Sequence, residues 1–345
     1  MGKTVLSCVT AVMVGLLWAG SAFAISFTSF VGSTGGSPIG FSYAGNKFVG
    51  SNYFNNQLYQ TDLSGGNLQS FGAPIPLSSG SVGEIYVSSA LGLGGFGSPA
   101  SRDVFAGSEA AGNIYRFSND GSTQSLFVSG LSGGVRGIAF DPFGIYGYNM
   151  IVTTRVGNVY TVDSSGVATL LANVGGDAEG LDFAPQAFGS ISAGTLVVVS
   201  EGTGRLNAIT SSGVKTDLGL QFSAPEMLSF VPINLGVSGN PLEGFYAANY
   251  PNNVIKAGAS EFSSFLGDAV ITEEVSHNMY RISWDGSSFN KTLIGAFPNQ
   301  PEDGIFLTTA ILNPGPVPEP STWLLFGSGL AGLAAWRRRS LKQPL

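Results

Sequence analysis

The stretch GNVYTVDSSGV, residues 157–167, alternates its side chains along a short run and then enters a turn that contains glycine. Alternation with a period of two is typical of a half-buried β-strand, and a short Asp/Ser/Gly turn joins such a strand to an antiparallel partner. In four other stretches a glycine also follows six residues after the position equivalent to Tyr160. These stretches are NQLYQTDLSGG (56–66), GNIYRFSNDGS (112–122), GRLNAITSSGV (204–214) and HNMYRISWDGS (277–287). The sequence therefore predicts a repeated β-hairpin.

A weaker sixth copy, NNVIKAGAS, begins at Asn252, and another β-rich run precedes every copy. The preceding runs are KFVGSNY, DVFAGS, MIVTTR, TLVVVSE, GFYAANY and AVITEE. Each run and the copy after it have the composition of two adjacent antiparallel strands. Six similar hairpins are expected.

A second repeated element follows most of the hairpins and is short and apolar. Its copies are GEIYVS (83–88), RGIAFDP (136–142), EGLDFAP (179–185), EMLSFVP (226–232) and DGIFLT (303–308). Such runs are typical of innermost strands that are buried on both faces. Most hairpins recur after about 45 to 56 residues, which is the length of a four-stranded propeller blade.

These repeats predict an all-β fold, a six-bladed β-propeller over residues 25–312. Five blades stay open as an alternative, because the hairpins at Ile255 and Tyr280 lie only 25 residues apart and five innermost strands are legible. The N-terminal repeat shows no obvious innermost strand, whereas residues 303–308 form one with nothing after it. We expect this last strand to join the N-terminal repeat and so close the ring, which removes both open edges.

Composition agrees with an all-β protein that has many turns. The chain has 50 glycines, 43% hydrophobic residues and only 11% charged residues, and its formal net charge is −7. Five of the 15 basic residues but one of the 22 acidic residues fall in the two ends, which leaves 10 against 21 and a body of about −11. A negative body argues against nucleic acid or anionic lipid as a partner and accommodates a cation or a neutral glycan.

The N-terminus has the three parts of a secretory signal peptide, residues 1–24. Lys3 provides the positive charge, residues 5–18 are apolar, and Ala22 and Ala24 form a small-x-small cleavage site. An N-terminal membrane anchor is the alternative. The single cysteine, Cys8, lies inside this segment, so the mature chain has neither disulfides nor thiolate metal ligands.

The C-terminus predicts a single membrane span with a positive stop. We expect a linker at residues 313–321, a transmembrane helix at 322–336 and a basic cytoplasmic tail at 337–345. The apolar part is about 22 Å long as a helix, somewhat short of the ~30 Å hydrocarbon core. The stop-transfer residues are Arg337, Arg338 and Arg339, which place the body outside and the tail inside.

The linker contains Val317, Pro318, Glu319 and Pro320. Followed by an apolar span and an arginine cluster, this motif resembles the PEP-CTERM sorting signal of Gram-negative bacteria. The resemblance implies export through the secretion machinery, transient anchoring in the inner membrane and cleavage near the motif by an exosortase. It further implies a cell-surface or extracellular location, with exopolysaccharide or another matrix component as a partner. The alternative is an ordinary C-terminal anchor in which Pro-Glu-Pro is a stiff spacer.

The body also loosely resembles secreted propellers of the SMP-30/gluconolactonase or NHL type, on its EGLDFAP-like and GNVYTVD-like elements. In the calcium-dependent lactonases of that group a glutamate, asparagines and an aspartate share one metal. Glu179 fits the glutamate element, but no stretch matches the aspartate motif.

Residues at the start of innermost strands face the channel of a propeller. We therefore expect Arg136, Glu179, Glu226 and Asp303 to form a ring at one mouth, with Glu84 and Glu302 nearby. Oxygen ligands in such a ring suit Ca²⁺, and Glu179, Glu226 and Asp303 are the candidate metal ligands. The alternative is that these acids cap loops or pair with Arg136.

No catalytic residues are assigned from the sequence. His277 is the only histidine and lies in a hairpin turn, so neither a histidine metal site nor a Ser-His-Asp triad is supported. We expect a non-enzymatic surface protein whose propeller is a binding or matrix-associated module. A calcium-dependent, lactonase-like hydrolase and a permanently anchored scaffold are the alternatives.

Overall fold

Each repeated hairpin forms the second and third strands of a four-stranded antiparallel sheet in the computed structural model, which describes residues 24–77, 82–97 and 102–312. Counted from the inside, the first blade is β2 (Pro38–Tyr43), β3 (Phe48–Asn52), β4 (Asn55–Thr61) and β5 (Gln69–Phe71). The second blade is β6 (Ile85–Ser89), β7 (Val104–Ser108), β8 (Ile114–Phe117) and β9 (Gln124–Val128). The third blade is β10 (Val135–Phe140), β11 (Met150–Thr154), β12 (Asn158–Val162) and β13 (Ala168–Asn173).

The fourth and fifth blades continue this pattern with one interruption. The fourth blade is β14 (Ala178–Phe183), β15 (Leu196–Ser200), β16 (Arg205–Ile209) and β17 (Lys215–Gln221). The fifth blade is β18 (Pro225–Phe230), β21 (Ala269–Glu273), β22 (Asn278–Trp284) and β23 (Phe289–Ala296). Between β18 and β21 the chain leaves the fifth blade, forms a hairpin elsewhere and returns.

The sixth blade is assembled from three distant parts of the chain. From the inside it consists of β24 (Gln300–Leu307), β19 (Gly244–Tyr250), β20 (Asn253–Gly258) and β1 (Thr28–Val31). The hairpin β19–β20 is the one that interrupts the fifth blade, and a short 3₁₀ helix, Ala259–Phe262, follows it. This detour explains why the hairpins at Ile255 and Tyr280 are so close in sequence: they belong to different blades.

Contacts between innermost strands join all six blades into a closed ring. β2 contacts β6, β6 contacts β10, β10 contacts β14, β14 contacts β18, β18 contacts β24, and β24 contacts β2. The six-bladed prediction is confirmed. The predicted route of closure is wrong, because the N-terminal repeat has its own innermost strand, β2, and β24 pairs with β19 instead.

The core lies between neighbouring blades as six apolar clusters. The cluster between the first and second blades contains Leu58, Phe71, Ile85 and Phe117, all fully buried. The cluster that joins the sixth blade to the first contains Val31 of β1. Each blade therefore buries one face against each neighbour, as stacked twisted sheets require.

The turns after β4, β12 and β22 share one side-chain device. In the first, Asp62 Oδ1 accepts backbone N–H groups from Ser64 at 2.8 Å and from Gly66 at 3.0 Å. Gly65 has φ of +80°, a conformation that glycine adopts without strain. The Asp-x-x-Gly pattern after β4 and β12, and the Asp-Gly pattern after β22, are thus capped turns of one kind.

The described residues end in a short helix, α1 (Thr309–Leu312). Within residues 24–77, 82–97 and 102–312, no helix is long and apolar enough to cross a membrane. Ala24 is the first described residue. The other terminal features of the sequence analysis lie outside the described residues, and these are Ala22, the sorting motif, residues 322–336 and the arginine cluster.

Candidate functional site in the propeller channel

One residue from each innermost strand lies at the same place in the ring. The residue before it pairs with the last residue of the second strand, as Ile85 does with Ser108 and Ala178 with Ser200, except in the sixth blade, where Pro301 pairs with Asn249, the last residue but one of β19. By this register the six equivalent residues are Ile39, Tyr86, Arg136, Glu179, Glu226 and Glu302. We call them the channel ring. Each is at most 8% exposed, so the channel ring closes the channel at this level.

A β-bulge follows the ring position in every innermost strand except β6. In three strands the next residue is glycine: Gly40, Gly137 and Gly180. A Cβ on Gly180 would lie 2.5 Å from Leu228 N and 2.7 Å from Glu226 O in the next blade. Glycine here lets adjacent innermost strands approach closely, which brings the side chains of the channel ring together.

Arg136 is the centre of an ion-pair cluster in the channel ring. Its Nε and Nη2 donate to the two oxygens of Asp177 at 3.0 and 2.8 Å. Its Nη1 contacts Glu84 and lies 2.8 Å from Glu179 Oε1. The hydroxyl of Tyr86 lies 2.5 Å from the same Glu179 oxygen. The guanidinium therefore has a carboxylate partner on each side. Of the acids named in the sequence analysis, Glu84 and Glu179 pair with Arg136, whereas Glu226 and Asp303 do not.

The remaining carboxyls of the channel ring have far less compensation. Burial, together with the charges of Glu179 and Glu302, raises the pKa of Glu226 well above its usual value. Burial, followed by the charges of Glu84 and Glu179, does the same to the pKa of Glu302. Glu302 receives one hydrogen bond, from Gln300 Nε2 at 2.8 Å. These groups favour either a proton or a neighbouring positive charge.

Asp303 does not occupy the ring position that the sequence analysis gave it. Glu302 does, and Asp303 lies one residue further on, within the bulge. Its Oδ2 accepts the N–H of Phe41 at 3.1 Å and so links the sixth blade to the first. Burial raises the pKa of Asp303 to about 7.

Glu179 belongs to a carboxylate group that the sequence did not reveal. One oxygen each of Asp177, Glu179 and Glu201 lie within 4.8 Å of one another, an arrangement that could hold a cation. Glu179 is 4% exposed, and its Oε2 finds no hydrogen-bond donor among the described residues. Asp177 and Glu201 come from loops that adjoin the ends of strands, so sequence spacing gave no signal for their position. Metal ligation by Glu179, Glu226 and Asp303 stays a prediction.

Below the channel ring lies a cavity of about 590 Å³. It opens at the carboxyl ends of the innermost strands, where Phe143, Ile233 and Ile311 form its rim. Ile138, Leu181, Leu228 and Ile305 form part of its wall, and Arg136, Glu179, Glu226 and Glu302 lie at its floor. This apolar cavity, with polar groups at one end, has the volume of a small-molecule site. We call it the channel cavity.

The comparisons with known proteins bear on the C-terminus and on the fold. A model of the PEP-CTERM protein-sorting motif matches residues 316–339. The chain carries a PEP-CTERM sorting motif. That motif begins nine residues after Leu307, where the last strand, β24, ends. No curated protein matches the chain.

Solved structures of propeller type are similar to the body. A chain in the crystal structure of a nidogen/laminin complex has a TM-score of 0.52 and 14% identity, and the match covers 77% of this chain and 83% of that chain. A streptogramin B lyase has a TM-score of 0.49 and 13% identity, over 81% and 76% of the two chains. A virginiamycin B lyase from Staphylococcus aureus has a TM-score of 0.47 and 13% identity, over 78% and 73%. At this identity the likeness concerns the fold alone.

Proposed function

We propose that the protein is an exported bacterial surface protein that an exosortase processes at its C-terminal motif, and that its propeller is a binding or matrix-associated module. The observation that carries this proposal is the PEP-CTERM motif at residues 316–339, directly after a complete propeller. The motif implies export to the cell envelope or surface. A closed ring of six blades presents two broad faces with their loops, and these faces suit a module that binds outside the cell.

The position of the motif allows cleavage without damage to the fold. All the described strands lie between Thr28 and Leu307, and the six core clusters end at Leu312. Cutting near Pro318 removes none of these residues. The processed product, from Ile25 to about Val317, therefore keeps every element of the propeller.

The proposal is tested by intact mass and cell fractionation in the native host. Replacing Pro318, Glu319 and Pro320 by alanine should leave the chain uncut and in the inner membrane, whereas the wild type should lose its tail and reach the surface. Pro314→Ala, in the same linker but before the motif, is the matched control and should behave as wild type. If the wild type retains residues 323–345, the motif is only an anchor and the exosortase step is refuted.

A second candidate, a calcium-dependent hydrolase, is favoured by the group formed by Asp177, Glu179 and Glu201. Three carboxylates and an unpartnered buried oxygen are the donors that Ca²⁺ prefers. One observation argues against this site. Both oxygens of Asp177 already accept hydrogen bonds from Arg136, which leaves less negative charge available to a metal ion. These three residues would hold the ion. A bound Ca²⁺ would polarise the carbonyl oxygen of a substrate.

Calorimetric titration of the processed chain with CaCl₂, alongside a lactone hydrolysis assay, separates the two candidates. A hydrolase should bind Ca²⁺ and lose both binding and turnover in Glu179→Gln and Glu201→Gln. Asp217→Asn, a substitution of an exposed acid in β17, is the control. Wild-type protein that binds no Ca²⁺ and hydrolyses no lactone, yet stays at the surface, would leave the binding module as the function.

A further inference from the structure

We propose that the channel cavity binds a small molecule with an apolar body and an amine-type cationic head group, and that the head group lies against Glu226 and Glu302 at the cavity floor. This inference names a ligand class for the binding role proposed above. It does not depend on the sorting step. The site is on the opposite side of the channel ring from the carboxylate group of Asp177 and Glu201.

The wall of the channel cavity favours an apolar body. Ile138, Leu181 and Ile305 are only partly buried although they lie in innermost strands, because their side chains face the cavity. A volume of about 590 Å³ equals that of on the order of 20 water molecules, at roughly 30 Å³ for each, and is large enough for a small molecule. Filling it would remove these apolar side chains from water and so stabilise the complex.

The floor favours a positive head group because its carboxyl groups outnumber its cations. Arg136 is the cation at the floor, and it is committed to Asp177, Glu84 and Glu179. Within the described part of the chain, no ion pair includes Glu226 or Glu302. Glu226 is 6% exposed and Glu302 is 1% exposed, so water compensates them little.

Other head groups fit this floor less well. An anionic head would meet Glu226 and Glu302 across a short distance in a site with little water, where like charges repel strongly. A neutral head would leave the two carboxyls dependent on retained protons. An ammonium group has three donors and a positive charge, so it compensates both carboxyls and can also bond a third acceptor at the same floor.

The experiment is calorimetric titration of the processed chain, Ile25 to Val317, with three probes that share one alkyl chain: decylamine, decanol and decanoate. At pH 7.5 and below the micelle concentration of each probe, decylamine should bind at least ~10-fold more tightly than decanol, because hydrogen bonds to charged groups are the stronger ones. Decanoate should bind most weakly. Equal affinity for the three probes, or tightest binding of decanoate, would overturn the proposal.

Two pairs of variants locate the site. Glu226→Gln should bring decylamine to within ~3-fold of decanol and leave decanol unchanged, whereas Asp217→Asn should change neither. Leu181→Trp should weaken binding of both probes by narrowing the cavity, whereas Leu170→Trp, at a residue 56% exposed on β13, should not. If Leu181→Trp lowers the unfolding midpoint too far, Ile138→Phe serves instead. Loss of decanol and decylamine binding together in Glu226→Gln would contradict the assigned floor.

Failure of this inference and failure of the proposed function give different results. If the chain is sorted to the surface and binds none of the probes, only the ligand class is wrong. If the isolated chain prefers decylamine but is never cut near Pro318, the cavity assignment stands without the sorting step.

Discussion

Replacing Gly180 by alanine should destabilise the propeller, because this residue sets the distance between the fourth and fifth blades. A Cβ there would meet three backbone atoms of β18, at 2.5, 2.7 and 2.8 Å. To reach an ordinary contact of about 3.4 Å, β18 would have to move by about 0.9 Å. β18 is held by β21 on one side and packs against β24 on the other, so little of that movement is free.

The expected cost of Gly180→Ala is about 3 kcal/mol, the upper end of the ~1–3 kcal/mol typical of overpacking, since backbone rather than a flexible side chain has to move. For a chain of this size each kcal/mol lowers the unfolding midpoint by ~2–4 °C, so a decrease of ~6–12 °C is expected. Thermal unfolding followed by circular dichroism, with urea unfolding as a second measure, provides the test.

Gly258→Ala is the matched control for this variant. Its Cβ would have as its nearest neighbour the Ser260 hydroxyl oxygen at 3.8 Å, so no overpacking is expected. Removing glycine's extra freedom in the unfolded chain should make this variant neutral or slightly more stable. A midpoint for Gly180→Ala within 1–2 °C of that control would refute the argument that the close approach of innermost strands requires glycine.

Three further predictions concern protonation, a buried hydroxyl and the outer strand of the sixth blade. Burial raises the pKa of Asp303 to about 7. Above about pH 4 the folded chain therefore keeps a proton on this carboxyl that the unfolded chain has lost. The free energy of unfolding should fall as the pH rises from 4 to 7. Asp303→Asn should reduce this dependence by up to ~1.4 kcal/mol per pH unit, and an unchanged slope in pH-dependent urea unfolding would contradict it. The Tyr146 hydroxyl donates to Ile209 O and accepts the N–H of Leu196 at 2.8 Å, so Tyr146→Phe should cost ~1–3 kcal/mol in urea unfolding while Tyr148→Phe costs under ~0.5 kcal/mol. A chain that starts at Gly32 lacks β1, so the outer edge of the sixth blade moves to the longer strand β20 and the cluster that Val31 helps to cover is exposed; size-exclusion chromatography should show association that the chain from Ile25 does not show.

The hairpins were predictable because they depend on local chemistry. Period-two alternation of side chains predicts each strand without reference to the rest of the chain, and all six hairpins form as the second and third strands of a blade. The blade to which a hairpin belongs depends on contacts far away in sequence. Nothing in the residues of β19 and β20 distinguishes a hairpin of the sixth blade from one of the fifth.

The first innermost strand was missed for a related reason. The other innermost strands were recognised by a polar or charged residue just before or within a short apolar run. In β2, PIGFSY, the ring position is occupied by Ile39, so this signal is lacking. The pairing of β2 with β3, together with its contacts to β6 and β24, identifies it only once the ring is assembled.

The channel ring was predictable in part. Arg136, Glu179 and Glu226 occupy the ring positions expected for them, whereas Ile39 and Tyr86 were not predicted and Glu302 takes the position expected for Asp303. Asp303-Gly304 resembles Glu179-Gly180 in sequence, but in the paired strands Gly180 is equivalent to Asp303, and only the pairing with the second strand shows this. The channel cavity was not predicted at all, because it is formed jointly by residues of several blades.

The sixth blade prevents this body from being shortened at either end. Many repeat proteins can be shortened by whole units, since each unit contacts only its neighbours and brings all of its own strands. Here residues 28–31, 244–258 and 300–307 are needed at once for a single blade, and the middle segment also interrupts another. Loss of residues from either end therefore breaks the sixth blade, so a whole repeat could be lost or gained only between residues 38 and 221, where the first, second, third and fourth blades are each formed by one continuous stretch of chain.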